Sequence, residues 1–120
     1  MIPNNYLKLI NTLSEKTQKG LIFWNRASDT QFKLVLNSNI ITIDYWKNQG
    51  DMLTGIDIYN LDGNIIDRYI ASKNSNPNEY QQLYNFYSRI SNIINNKLEQ
   101  TINNILGEIN QDRVIGKKNE

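Results

Sequence analysis

Between Gln31 and Ile70 the chain alternates apolar and polar residues with a period of two, and its turn residues register the strands against one another. This constrains the fold most, because a one-residue slip carries every apolar side chain to the opposite face of a sheet. A two-residue turn at Ser38-Asn39 sets Leu36 opposite Ile41, Leu34 opposite Ile43 and Phe32 opposite Tyr45, all apolar pairs. The complementary face pairs Lys33 with Asp44 and Val35 with Thr42, and sets Gln31 beside Trp46. Asn60-Leu61-Asp62-Gly63-Asn64 reads as a type I turn with Gly63 in the left-handed bulge position, so Asn60 faces Asn64 and Ile58 meets Ile66. The same register puts Asp57 opposite Asp67 and Tyr59 opposite Ile65. Across the Lys47–Asp51 loop, matching the apolar faces pairs Thr42 with Asp57 and Trp46 with Leu53. The expectation is a meander of four or five antiparallel strands with one greasy and one mixed face.

Helical patterns flank the meander. Asn4 or Asn5 is positioned to cap a first helix carrying Tyr6, Leu9, Ile10 and Leu13, which Gly20 stops. Leu21-Ile22-Phe23-Trp24 then reads as a strand and Ala27–Thr30 as the loop after it. A second helix starts at Asn76 as cap, with Pro77 at the first position and Glu79 at capping-box spacing. Leu83, Tyr87, Ile90, Ile94, Leu98, Ile102, Ile105 and Ile109 form its apolar stripe. Its length of about 45 Å is twice that of a six- or seven-residue strand, about 20–24 Å. Either the helix breaks at Asn95-Asn96 and folds back, or its second half packs on another subunit. Asparagine is a poor helix interior residue, which favours the break. The fold class is α+β: a short N-terminal helix, the meander, and a long or broken C-terminal helix on one sheet face. Residues 1–110 read as one domain and 111–120 as a polar tail.

The composition excludes more than it assigns. The chain has no Cys and no His, which removes disulfides, thiolate and imidazole metal sites, and Ser-His-Asp or Cys-His catalysis. Thirteen basic and twelve acidic residues leave a formal charge of +1, which argues against nucleic acid or an anionic membrane as partner. The six glycines form no phosphate-binding loop. The start Met1-Ile2-Pro3-Asn4-Asn5 lacks a signal-peptide pattern and no apolar run reaches the ~20 residues of a membrane span, so a cytoplasmic protein is expected.

The candidate site is the mixed sheet face, where Asp44, Asp57 and Asp67 cluster with Trp46, Tyr59 and Tyr69, and Lys33 is the basic neighbour. Opposed aspartates repel unless a cation, a partner's Arg or open water relieves them, so the face reads as a binding surface for a cationic or aromatic partner, as a weak hard-metal site or, more plainly, as a solvated sheet face. Flat, solvent-facing carboxylates lack the desolvation that tunes an acid–base pair, which argues against catalysis. Tyr80, Leu83, Tyr84 and Tyr87 read as the core seam of the second helix, with Arg89 beside it and Arg113 in the tail as candidate contacts for phosphate or carboxylate. Tyr84, Arg89 and Arg113 are accordingly the candidate ligand or interface residues. No metal or cofactor is expected.

Lys16-Thr17-Gln18-Lys19-Gly20-Leu21-Ile22-Phe23-Trp24, the hairpin Asp62-Gly63-Asn64-Ile65-Ile66 and the helix start at Leu83-Tyr84 carry a resemblance. The chain resembles a widespread set of small uncharacterised bacterial and prophage proteins that share these turn and core positions. The resemblance implies the fold and brings no catalytic residues; by analogy it points to mobile-element or defence-associated roles. Heavy use of Asn, Ile, Lys and Tyr also fits an AT-rich bacterial or phage genome. The expected function is a non-catalytic binding module acting on a protein partner or on itself as a homo-oligomer, as an accessory, immunity or inhibitor protein of a bacterial or phage conflict system. The alternative is a binder of a nucleotide-derived ligand held between subunits.

Overall fold

The computed structural model describes residues 1–111 and 114–116. Its elements are α1 (Asn4–Gln18), β1 (Asn25–Ser28), β2 (Gln31–Val35), β3 (Ile40–Asn48), β4 (Asp51–Tyr59), β5 (Ile65–Ser72) and α2 (Pro77–Ile109). The strands form one antiparallel meander in the order β1-β2-β3-β4-β5. Both helices pack on the face that carries Phe32, Leu34, Ile41, Ile43 and Ile56, giving the two-layer α+β architecture.

Helix α1 begins on Pro3, whose carbonyl accepts from Leu7 N–H at 2.8 Å; the expected asparagine side-chain cap is not made. It ends where Gly20 adopts φ +74°, with Gly20 N–H donating to the Thr17 carbonyl and Leu21 N–H to that of Lys16. This is a Schellman ending, and it needs a residue at ease in the left-handed region. The next segment departs from expectation: Leu21–Trp24 is not a strand, and the first strand is Asn25–Ser28, which starts before the predicted loop and runs into it. Trp24 supplies the reason. Its indole N–H donates to Thr17 Oγ1 at 2.9 Å and its ring meets Phe86 edge-on at 5.8 Å, so the residue is drawn into the helix layer instead of the sheet.

The β2–β3 hairpin turns at Asn37-Ser38, closed by Leu36 N–H to the Asn39 carbonyl, one residue earlier than predicted. Phe32 therefore faces Ile43, Leu34 faces Ile41, Lys33 faces Thr42, and Gln31 faces Asp44. The partners move by two residues, so every residue keeps its predicted face. The β3–β4 register is as expected, Thr42 opposite Asp57 and Trp46 opposite Leu53.

In β4–β5 the Asn60/Asn64 closure is present, but a bulge between the Tyr59/Ile65 and Ile58/Asp67 pairs shifts the rest by one. Asp57 thus faces Arg68, not Asp67, and β5 is turned over relative to the sequence reading. Tyr69 and Ala71 join the helix-covered face, where Tyr69 meets Tyr6 at 5.7 Å between ring centroids. The exchange removes a carboxylate repulsion and adds an ion pair, a cross-strand preference that favours this register.

Helix α2 is continuous over 33 residues, about 50 Å. The predicted break at Asn95-Asn96 does not occur. Two asparagines cost roughly 1 kcal/mol against alanine and no proline interrupts the hydrogen bonding. Contacts also span the spot: Arg26 Nη2 donates to Asn95 Oδ1 at 3.3 Å, and Lys97 Nζ lies 4.6 Å from the Phe23 ring centroid. Asn76 caps α2 through its backbone only, with Tyr80 N–H donating to its carbonyl. The first half of α2 covers the sheet through Tyr80, Leu83, Tyr87 and Ile90, and Tyr45 and Tyr87 pack at 4.9 Å. The second half extends past the sheet, and the molecule measures 58 Å along its longest axis.

Candidate functional site

The face of the sheet away from the helices is uncovered, and the registers lay it out as rows across the strands. One row runs Lys33, Thr42, Asp57, Arg68; the next runs Gln31, Asp44, Gly55, Ile70; Trp46 and Leu53 begin a third. On the other side of the first row lie Val35, Ile40 and Tyr59. Strand alternation puts these side chains on the face opposite the core residues Ile41, Ile43 and Ile56.

Asp57 is the central carboxylate and is only 6 % exposed although it belongs to the open face. Arg68 explains how it is tolerated there. Its Nε donates to Oδ1 at 3.2 Å and its Nη2 to Oδ2 at 3.1 Å, a bidentate fork, and the Tyr59 hydroxyl donates to Oδ2 at 3.3 Å. The planar guanidinium matches both carboxylate oxygens and covers them. Beside this network, Gln31 Nε2 donates to Asp44 Oδ2 at 3.4 Å. Burial, and then the negative charge of Asp57, push the Asp44 carboxyl up to about 6.

Trp46 lies against Gly55. A Cβ placed on Gly55 would sit 3.2 Å from two Trp46 ring carbons and 3.4 Å from Ile70 Cγ1, so the glycine is what allows the indole to approach the sheet. On the far side of Asp57 a shallow pocket of about 280 Å³ is lined by Lys33, Gln31, Thr42, Ile40, Tyr59 and Gly63, among others. Thr42 Oγ1 is buried there without a hydrogen-bond partner.

Of the predicted cluster, Lys33, Asp44, Trp46, Asp57 and Tyr59 share this face. Asp67 and Tyr69 do not. Asp67 accepts from the Tyr6 hydroxyl at 2.6 Å on the helix side, and the Tyr6 phenol is raised by burial and by that carboxylate. The acidic patch expected for a cationic partner is therefore replaced by a balanced one, with Arg68 in place of Asp67. Sequence reasoning missed Arg68; the signal was the choice between pairing Asp57 with a like charge or, one residue away, with an opposite one.

Tyr84 and Arg89 are not brought together with the sheet face. Tyr84 stands in the aromatic seam, 5.7 Å from both Tyr45 and Tyr80. Arg89 points to the groove between the helices, where its guanidinium donates to Ser14 Oγ. Arg113 lies outside the described residues. Among the described residues no group of carboxylates is placed to hold a metal ion, and no helix is long and apolar enough to cross a membrane.

The second uncovered surface is the overhang of α2. Leu98 is 58 % exposed and Ile102 46 %, and Ile105, Leu106 and Ile109 are similarly open. At its root a pocket of about 240 Å³ is lined by Ile22, Phe23, Trp24, Ile93, Ile94 and Lys97, among others. Leu21 and Phe23 are exposed beside it. Apolar surface therefore runs from the end of the core, across this pocket, to the tip of the helix. Comparison of the chain with family models, with characterised proteins and with solved structures found no match.

Proposed function

We propose that this chain is a non-catalytic interaction module that works by binding a protein surface, a partner's or that of a second copy. The overhang of α2 carries this reading. Five Leu and Ile side chains stand about half exposed along one helix segment, and a contiguous exposed apolar strip of this kind is characteristic of protein contacts. On the sheet face the carboxylate nearest to a site centre, Asp57, is engaged by Arg68 and Tyr59, an arrangement suited to recognition more than to proton transfer. An accessory, immunity or inhibitor protein of a bacterial or phage conflict system is a role that such a module suits.

The test is light scattering at rising concentration on the full chain and on an Ile102→Glu, Ile105→Glu double variant, run beside a turnover screen on phosphoester, glycoside and acyl substrates. The expected result is association in the parent chain, none in the variant, and no turnover. Association that persists unchanged in the variant, or a turnover that Asp57→Asn abolishes, would overturn the reading, and two monomeric chains would assign the overhang to a different partner.

A second reading, a receptor for a small nucleotide-like ligand, is favoured by the open-face pocket, where the unpartnered Thr42 hydroxyl sits beside Lys33, Gln31 and Tyr59. A nucleotide that raises the melting temperature by several degrees, with the gain lost in Lys33→Ala, would support it.

A further inference from the structure

We propose that the open-face pocket is a site for a small monocarboxylate, whose anionic end takes the Lys33 ammonium and the Thr42 hydroxyl and whose apolar end lies on Ile40 and Tyr59. The proposal shares with the second reading above only the premise that this pocket takes a small ligand, and it names a different ligand class. It is independent of what the α2 overhang binds.

Two polar groups at the pocket lack the partners that burial demands. Thr42 is 5 % exposed, and its Oγ1 has no hydrogen-bond partner. A buried hydroxyl in that state is costly, and a ligand oxygen that accepts its proton removes the cost. Lys33 stands directly across the β2–β3 pair from Thr42. It is half-buried, and among the described residues it makes no ion pair. Two carboxylates lie nearby in register and neither takes it: Asp57 is held by Arg68 and Tyr59, and Asp44 by Gln31. Thr42 and Lys33 thus sit on neighbouring strands and line one pocket. An anionic oxygen placed there accepts from both, and such charge-assisted bonds are the strong ones. The hydroxyl is enclosed in the free chain, so the oxygen has to displace a side chain to reach it. The long lysine stem is the flexible neighbour that gives way.

Charge selects the class. Arg68 balances Asp57, which leaves Lys33 as the cation of the pocket and Asp44 as a carboxyl without a cation one row away. One free cation matches one negative charge. A phosphate dianion would bring its second charge towards Asp57 and Asp44, an unfavourable approach in a partly dry site. Gln31, also in the lining, keeps one amide hydrogen free for the second carboxylate oxygen. Ile40 and Ala27 supply apolar wall, and a volume of about 280 Å³ belongs at the small end of ligand sites.

The test is an amide NMR titration of the isotope-labelled full chain with acetate, butyrate and benzoate, beside benzamide, inorganic phosphate and AMP. The expected result is saturable movement of the Lys33, Thr42 and Gly63 signals with butyrate or benzoate, and none with benzamide, which has the shape of benzoate without its charge. Lys33→Met keeps an apolar stem, removes the charge and should abolish the response. Thr42→Val should weaken carboxylate binding about tenfold while the melting temperature of the free chain holds or rises, so the loss is not one of folding. A response to benzamide equal to that of benzoate, or carboxylate binding that survives unchanged in either variant, overturns the proposal. Phosphate or AMP binding as tightly as the acids, or in their place, overturns the carboxylate class and leaves the nucleotide reading standing. Silence from every probe overturns both.

Discussion

The two halves of α2 carry the same apolar stripe and meet opposite fates. Leu83 and Ile90 are fully buried against the sheet, whereas Leu98, Ile102 and Ile109 stand in solvent. The sheet repeats the contrast, with a dry aromatic face under the helices and an open face on which Asp57, Arg68 and Tyr59 satisfy one another. An amphipathic pattern therefore states that a surface needs cover, and says nothing of which chain supplies it. The covered half was met by the chain's own sheet; the uncovered half outruns it, because strands of nine residues span about 30 Å and the helix about 50 Å.

The largest expected effect is a direct contest between the two halves. Leu83→Ala should lower unfolding stability by about 2–5 kcal/mol, and Leu98→Ala by under about 0.5 kcal/mol for the monomer at dilute concentration. Urea denaturation of both variants measures the difference, and similar losses would mean that the overhang is packed within the monomer. A smaller effect contrasts the two sheet faces through their two unpartnered threonine hydroxyls. Thr54→Val, in the dry layer, should raise stability by about 1 kcal/mol, because an unsatisfied hydroxyl is replaced by a methyl group of the same shape. Thr42→Val lies beside an open pocket and should gain less. A loss at Thr54 would place a hidden hydrogen-bond partner in the core.

A further contrast concerns pH and the open face alone. The Asp44 carboxyl is raised to about 6, above the ordinary aspartate value near 4. The folded chain therefore holds this proton more tightly than the unfolded chain, and the group's contribution to stability declines as pH rises from about 4 through 6. Asp44→Asn should accordingly melt above the parent chain at pH 8, with the gap closing as pH falls through 6 towards 4. A gap that is constant with pH would detach it from the titration of Asp44.

How far the sequence could be read followed from which contacts are local. The α+β class, the β3–β4 register and the sorting of β2 and β3 onto their faces were legible, since period two and short turns decide them; even a turn placed one residue late preserved the faces. The orientation of β5 was not. Its two sides, Ile66-Arg68-Ile70 and Asp67-Tyr69-Ala71, are equally mixed, and a single bulged residue chooses between them. Thus Lys33, Asp44, Trp46, Asp57 and Tyr59 could be grouped from the alternation alone, while Arg68 could not.

The sequence by itself determined the Asn60–Asn64 turn, the stop of α1 at Gly20, the start of α2 at Pro77, the long apolar stripe and the absence of His and Cys chemistry, because each depends on residues a few positions apart. Only the tertiary structure decided that Trp24 leaves the sheet for Thr17 and Phe86, that Asp67 goes to Tyr6 and Asp57 to Arg68, and that α2 runs unbroken past the sheet. Those outcomes pit residues far apart in the chain against one another. Their energies differ by a bulge, a hydrogen bond or two weak helix formers, differences too small for local pattern to resolve.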